Sequence, residues 1–395
     1  MDPYLEKYGP KLLAQRPELT WEVSKINGSY YGIPLMCTNK MGVHFDIRED
    51  IMDELGYSEI TTKEDFVEFL YKAKEAHPEM VPVVTGMVPA ELYNSWALIW
   101  FRGSKATEFI TSSSLDTGGM MLYYKNNEPT LHNFFDEPDP IIMDNIYEAR
   151  KLYLDGIIDP DILSLSSQRN EMANGRAVST SWAQVYVDPT VRINVKNNFN
   201  TGVKTFIPYV EEYFQSGTIN SDFKAWNFQS LCVVSKNKDR SMMLLEASQY
   251  KENYDLMAFG IPGKHSLLHG EDRWEIIDSQ FRRLAYTWIM DAVNDRVDST
   301  MPDTDYQYER WLRKAPGSDF EFSPEGYVKF DPARVETEIA QFLSLSRQYL
   351  PALYNGVTDP DTTIAEFRAQ GYDLLKVIQN EYQRQIDEGR AAANF

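Results

Sequence analysis

Apolar positions along this chain change their period several times, and each change marks an element. Tyr30-Tyr31-Gly32-Ile33-Pro34-Leu35 and Gly42-Val43-His44-Phe45-Asp46 predict short strands bounded by Gly and Pro. In Thr61-Thr62-Lys63-Glu64 a Thr precedes a Glu at the spacing of a capping box. Phe66, Phe69, Leu70 and Ala73 then recur at helical spacing until Pro78 closes the segment. Val81-Pro82-Val83-Val84-Thr85-Gly86 predicts the next strand, and a strand–helix–strand order favours an α/β sheet. Ile142, Ile146, Ala149 and Tyr153 stripe a further helix stopped by Gly156, and Ala177–Trp182 reads as extended after Gly175. Leu231-Cys232-Val233-Val234 is nearly continuously apolar, which predicts a strand covered on both faces. The last third turns helical. Val335, Ile339, Phe342, Leu343, Tyr349, Leu350 and Leu353 keep helical period up to Asn355-Gly356, a left-handed stop. Leu374, Leu375, Ile378, Tyr382 and Ile386 mark a second long amphipathic helix.

A chain of 395 residues exceeds what one core fills, so two domains of roughly 150–200 residues are expected. The formal charge of −20 excludes a phosphate-tracking nucleic-acid binder, which needs a basic face, and disfavours anionic membranes and ligands. No apolar run approaches the roughly 18 residues of a membrane span. Met1-Asp2-Pro3-Tyr4-Leu5-Glu6-Lys7 lacks the basic-then-apolar order of a secretory signal, so the residues taken alone describe a soluble cytosolic protein. Cys37 and Cys232 form neither a disulfide framework nor a C-x-x-C motif and are expected to act as small, partly buried hydrophobes.

Signatures of common catalysts are missing. There is no G-x-x-x-x-G-K-[ST], G-x-G-x-x-G, H-E-x-x-H or G-x-S-x-G, and no cofactor is expected. His265 and His269 share an i,i+4 spacing, but Pro262-Gly263 just upstream argues for a solvated loop over a zinc site. Asp159-Pro160-Asp161 and Asp303-Thr304-Asp305 resemble fragments of calcium loops, yet lack the Gly and later Glu of an EF-hand and read as turns. A glycosidase needs only two carboxyls at the correct separation, so the 59 acidic residues leave a hydrolase open.

One ordered set of segments is more specific. Tyr31-Gly32-Ile33-Pro34, then Asp46 through Gly56 (DIREDIMDELG), then the helix start Thr62-Lys63-Glu64-Asp65-Phe66, resembles the family 1 extracellular solute-binding proteins of ABC importers. Asp155-Gly156-Ile157-Ile158-Asp159-Pro160 and Met172-Ala173-Asn174-Gly175-Arg176-Ala177 are similar to later landmarks of that family, and Trp182 follows at the matching offset. Val233-Val234-Ser235-Lys236-Asn237, leading into a helix near Met242–Tyr250, continues the likeness. Asn253-Tyr254-Asp255-Leu256, Gly260–His265 and the region from Phe330 to Asp387 resemble the Gram-positive lipoprotein branch.

The resemblance implies a periplasmic-binding-protein-like fold, with two α/β lobes, a hinge crossed three times and a helical C-terminal region. Residues 1–42 and 227–315 would form the N-terminal lobe, and 43–226 with 316–395 the C-terminal lobe. It also implies a signal, a lipidated Cys and an opening part of the N-terminal lobe before the segment Asp2–Pro34. The N-terminal lobe is therefore expected to be incomplete in this sequence, and the native location extracytoplasmic, anchored by a lipid that this sequence does not include. The implied receptor is a non-enzymatic monomer that delivers carbohydrate to ABC permease subunits, closing around its ligand at the hinge.

A sugar shows an apolar C–H face and a rim of hydroxyls, which flat rings, planar amides and charged forks match. The ligand-binding set implied by the resemblance is Trp182, Tyr93, Trp96, Trp226, Asn227, Asn39 and Arg48. Within it, Trp182 is balanced between ligand platform and core, and at most two of Tyr93, Trp96 and Trp100 reach ligand, with Trp100 assigned to the core. Arg48 has the competing role of a surface partner to Glu49 or Asp50. Cys37 and Cys232 are expected on neighbouring strands, close but unbonded. A peptide-binding receptor, a carbohydrate-active hydrolase and a non-transporting scaffold are the alternatives.

Overall fold

The structure is a computed structural model. It describes residues 1–16, 18–26, 28–35, 44–86, 94–100, 110–112, 121–125, 128–165, 168–182, 189–208, 219–221, 228–278, 281, 294–299, 301, 303, 306–307, 310, 320–322 and 330–392. The chain divides into two compact units, one of residues 1–40 and 217–326, the other of residues 41–216 and 327–395.

The larger unit is built on a four-stranded sheet. Its strands are β1 (His44–Arg48), β2 (Val81–Val84), β3 (Ala177–Trp182) and β4 (Val203–Phe206), in the spatial order β2-β3-β1-β4. β2 runs parallel to β3, with Val83 opposite Ser179, whereas β1 is antiparallel to both neighbours and sets His44 opposite Trp182 and Phe45 opposite Phe206. All five β1 residues are buried although three are polar, because successive side chains take opposite faces. Phe45 enters an aromatic core, its ring centre 4.4 Å from that of Phe66 and 5.1 Å from that of Trp100.

Helix α1 (Lys63–Ala76) supplies that core with Phe66, Phe69, Leu70 and Ala73. Its N-cap is Thr62, whose hydroxyl accepts from the Asp65 amide, so the cap falls one residue later than the Thr61–Glu64 spacing predicts. The short helix α2 (Trp96–Ile99) is wholly buried. Helix α3 (Pro140–Leu154) begins at Asp139, whose carboxylate accepts from the Ile141 amide, and ends where Gly156 turns left-handed at φ 65°. Two long helices close the unit, α4 (Glu336–Tyr354) and α5 (Pro360–Ala392). Their stripes (Phe342, Leu350 and Leu353; Phe367, Ile378, Tyr382 and Ile386) meet Ile142 and Ile146 of α3 and the strand residues Leu122–Tyr124 in one apolar cluster.

In the smaller unit, helices Asp2–Tyr8, Pro10–Gln15 and Lys238–Ala247 enclose Leu5, Leu12, Trp21, Ile33 and Met242. The Glu246 carboxylate accepts from the Lys11 and Leu12 amides at 2.9 and 3.0 Å, satisfying donors that a helix start leaves open. Ile33–Pro34 pairs antiparallel with Phe228–Gln229, so less of Tyr30–Leu35 is strand than its pattern predicts. A further three-stranded sheet joins Ser266–His269, Arg273–Ile276 and Val297–Asp298, and Ile219–Ser221 pairs with Phe320–Phe322.

Two expectations are corrected here. Leu231–Val234 is not a strand: the Ser235 amide turns back to the Cys232 carbonyl at 3.0 Å, and Val233 and Val234 are 83% and 79% exposed. An apolar run predicts burial only where a neighbouring sheet covers it, and among the described residues none does. Cys232 is likewise exposed, not partly buried, while Cys37 lies outside the described residues.

Candidate functional site

In open α/β sheets ligands collect outside the carboxyl ends of the parallel strands. In the larger unit that edge is formed by the ends of β2 and β3 and the start of β1, that is, by Thr85-Gly86, Ser181-Trp182 and His44. The polar groups there are buried and joined. Ser181 Oγ donates to the Asn94 carbonyl at 2.6 Å, and the Gly86 amide donates to the same oxygen at 2.9 Å. Thr85 Oγ1 donates to Asn355 Oδ1 at 2.6 Å, and Asn355 Nδ2 donates to the Gly86 carbonyl at 3.0 Å. His44 Nε2 stands 3.0 Å from Asp46 Oδ1, both buried. The edge thus holds hydroxyls and a planar amide that bond one another beneath the surface, beside a half-buried indole whose flat face suits a sugar ring.

The expected site residues separate on this frame. Trp182 ends β3 at the edge and is half-buried. Trp96 is fully buried, its ring 5.1 Å from that of Trp100, and its Nε1 donates to Glu148 at 2.9 Å, where Lys63 also lands at 2.5 Å. That placement gives Trp96 a packing role, as it does Trp100. Arg48 lies at the opposite end of β1 from His44, paired in register with Val203. Its Nε and Nη2 hold Asp50 at 2.9 and 2.5 Å, and its guanidinium sits 4.1 Å from the ring centre of Phe199. Partial burial works against the Asp50 charge, but hydrogen bonding and attraction from Arg48 outweigh it and hold the carboxyl below the ordinary range. Tyr93, Trp226, Asn227 and Asn39 lie outside the described residues.

Sequence reasoning missed Thr85, Ser181 and Asn355. Periodicity accounted for each as a strand end or helix stop, and none sits in a motif. The family-like landmarks meet each other: the Arg176 guanidinium pairs with Asp159, which is fully buried, and with Glu171. The Asp161 amide donates to Asp159 Oδ1 at 2.9 Å, so Asp159-Pro160-Asp161 is a turn. His265 stacks on Phe281 and His269 faces Glu275. Among the described residues no three His, Cys, Asp or Glu side chains gather as metal ligands, and no helix is long and apolar enough to cross a membrane.

Comparison with known proteins bears on the fold. A family described as a domain of unknown function (DUF3502) matches residues 326–391, which contain α4 and most of α5. No curated protein matches the chain by sequence. Among solved structures, the N-glycan transport solute binding protein NgtS of Streptococcus pneumoniae is similar at TM-score 0.72 and 18% identity, covering 98% of this chain and 81% of that one. An HMO binding, ABC-transporter-associated solute binding protein of Bifidobacterium longum infantis aligns at TM-score 0.62 and 15% identity, over 97% of this chain and 82% of its own. An EF-hand mutant of the S. pneumoniae ABC-transporter substrate binding protein FusA, solved with fructo-nystose, aligns at 0.58 and 13%, over 99% and 83%. The chain therefore has the fold of the solute-binding proteins of ABC importers, α/β with a helical C-terminal region, as the segment order implied.

Proposed function

We propose that this chain is a non-catalytic, extracytoplasmic receptor that captures a carbohydrate, an oligosaccharide by preference, and passes it to the permease of an ABC importer. The observation that carries the reading is the whole-chain likeness to solute-binding proteins named for glycan ligands. The carboxyl edge of the larger unit's sheet supports it from within the chain. There a half-buried indole stands beside neutral hydroxyls and an amide, and among the described residues no cluster of cations favours an anion. Trp182 supplies the platform for the apolar sugar face, and Tyr93, Trp226, Asn227 and Asn39 remain proposed contacts. Arg48, held by Asp50, orders the far end of β1.

The test is calorimetry against a panel of a mannosyl-N-acetylglucosamine, a fructo-oligosaccharide, a milk-type oligosaccharide and an unrelated peptide. Saturable binding of one saccharide, with no release of reducing ends over hours, is the expected result. Peptide binding with every saccharide silent overturns the carbohydrate assignment, and turnover of a bound glycan makes the protein a hydrolase.

A further inference from the structure

We infer that Asn355, supplied by the turn between α4 and α5, is the positioning residue of the saccharide site at the carboxyl edge of the sheet. The inference rests on the carbohydrate reading above and adds a role for the C-terminal helical pair. Asn355 is fully buried and reaches Thr85 and Gly86 across sequence separations of 270 and 269. Its side-chain oxygen accepts from Thr85 Oγ1 at 2.6 Å and from the Trp96 amide at 3.4 Å. Its nitrogen donates to the carbonyls of Gly86 at 3.0 Å and Pro351 at 3.1 Å. Only a planar amide offers acceptor and donor together in this way; a carboxylate would set its charge against the Gly86 oxygen.

The chain of bonds continues toward Trp182. The Gly86 carbonyl is held by Asn355, the Gly86 amide holds the Asn94 carbonyl, and Ser181, beside Trp182, holds that same oxygen. One side chain thus ties the end of β2 to the start of α2 and, through Asn94, to the end of β3. The turn that carries it is itself fixed. Gly356 has φ 72°, a Cβ there would lie 2.1 Å from the Ala149 carbonyl, and Arg150 donates to the Gly356 and Val357 carbonyls at 2.9 Å each. A position so constrained from α3 can set the geometry of the edge, not merely fill space beneath it.

The experiment compares Asn355→Ala with Phe342→Ala, a change in the same helical pair that destabilises through packing alone, and with Thr85→Val, which removes the bond from the other partner. Amide hydrogen exchange is read at Gly86, whose amide bonds Asn94 and not Asn355, in the ligand-free protein. Asn355→Ala is expected to speed exchange at Gly86 by about tenfold over Phe342→Ala, the scale of one lost hydrogen bond, and Thr85→Val by about threefold. Saccharide affinity is expected to fall in the same proportion for Asn355→Ala and Thr85→Val and to hold for Phe342→Ala. Equal exchange at Gly86 in Asn355→Ala and Phe342→Ala overturns the inference. If Asn355→Ala does not fold, Thr85→Val decides on the same readout. A wild-type protein that binds no saccharide would end the carbohydrate reading, while exchange at Gly86 would still show whether Asn355 positions the edge.

Discussion

The two ends of the larger unit's sheet solve different problems with different chemistry. At the amino end of β3, Arg176 joins a fully buried Asp159 and Glu171 in an ion-paired clamp, and Gly175 turns left-handed just before it. At the carboxyl end, the described residues are joined by neutral groups: Thr85, Ser181, Asn355 and the Asn94 carbonyl share hydrogen bonds, beside the buried contact of His44 with Asp46. On the carbohydrate reading proposed above, charge sits where the chain must be locked and neutral groups where ligand is exchanged. A buried ion pair is costly to break, and neutral amides and hydroxyls order the chain without placing a buried charge beside an uncharged ligand.

The largest expected effect breaks the locking end. Arg176→Ala leaves Asp159 buried without its cation and should cost about 3 kcal/mol of stability, the lower part of the range for such deletions because one side of Arg176 faces water. Chemical unfolding measures this, and saccharide affinity of the folded protein should be unchanged; a matching loss of affinity would erase the distinction between the two ends. Next in size, Trp182→Ala at the exchanging end should weaken saccharide binding by about 1–3 kcal/mol with the fold retained. Calorimetry decides it, and unaltered affinity removes Trp182 from the site. Smaller again, Trp96→Phe forfeits the hydrogen bond to Glu148 and should lower stability by about 1 kcal/mol without touching affinity. A fall in affinity would return Trp96 to the ligand set.

The smallest effect concerns pH. Because the folded Asp50 carboxyl titrates below its ordinary value, its contribution to stability is full above the unfolded carboxylate pKa. It is lost as pH falls through the lowered one. NMR titration of Asp50 should show the depressed midpoint, and Arg48→Met should return it toward normal.

Much of this frame was legible in the sequence. Ala177–Trp182 is a strand at the predicted limits, since a Gly turn precedes a run of small and β-branched residues. The α3 stripe, the α4–α5 pair and the Gly356 stop followed from period and glycine placement alone. What was not legible depends on neighbours far along the chain. Trp96 and Trp182 are the same residue type beside similar punctuation, yet one is sealed against Phe66 and Trp100 and the other ends a strand half-buried. Val233 and Val234 have the pattern of interior strand and the exposure of a surface turn. Asn355 marked a helix end in one dimension, whereas its amide works against residues 269 and 270 positions away.

The larger unit is assembled from two stretches of chain that bracket most of the smaller one, residues 41–216 and 327–395. During synthesis Leu122, Phe134, Ile142 and Ile146 leave the ribosome long before Phe342, Tyr382 and Ile386, the side chains that cover them. Until then those apolar surfaces have only a nascent polypeptide or a chaperone for company. Burial of those surfaces therefore waits for α4 and α5, and translation halted before them would yield sticky intermediates instead of a smaller folded unit.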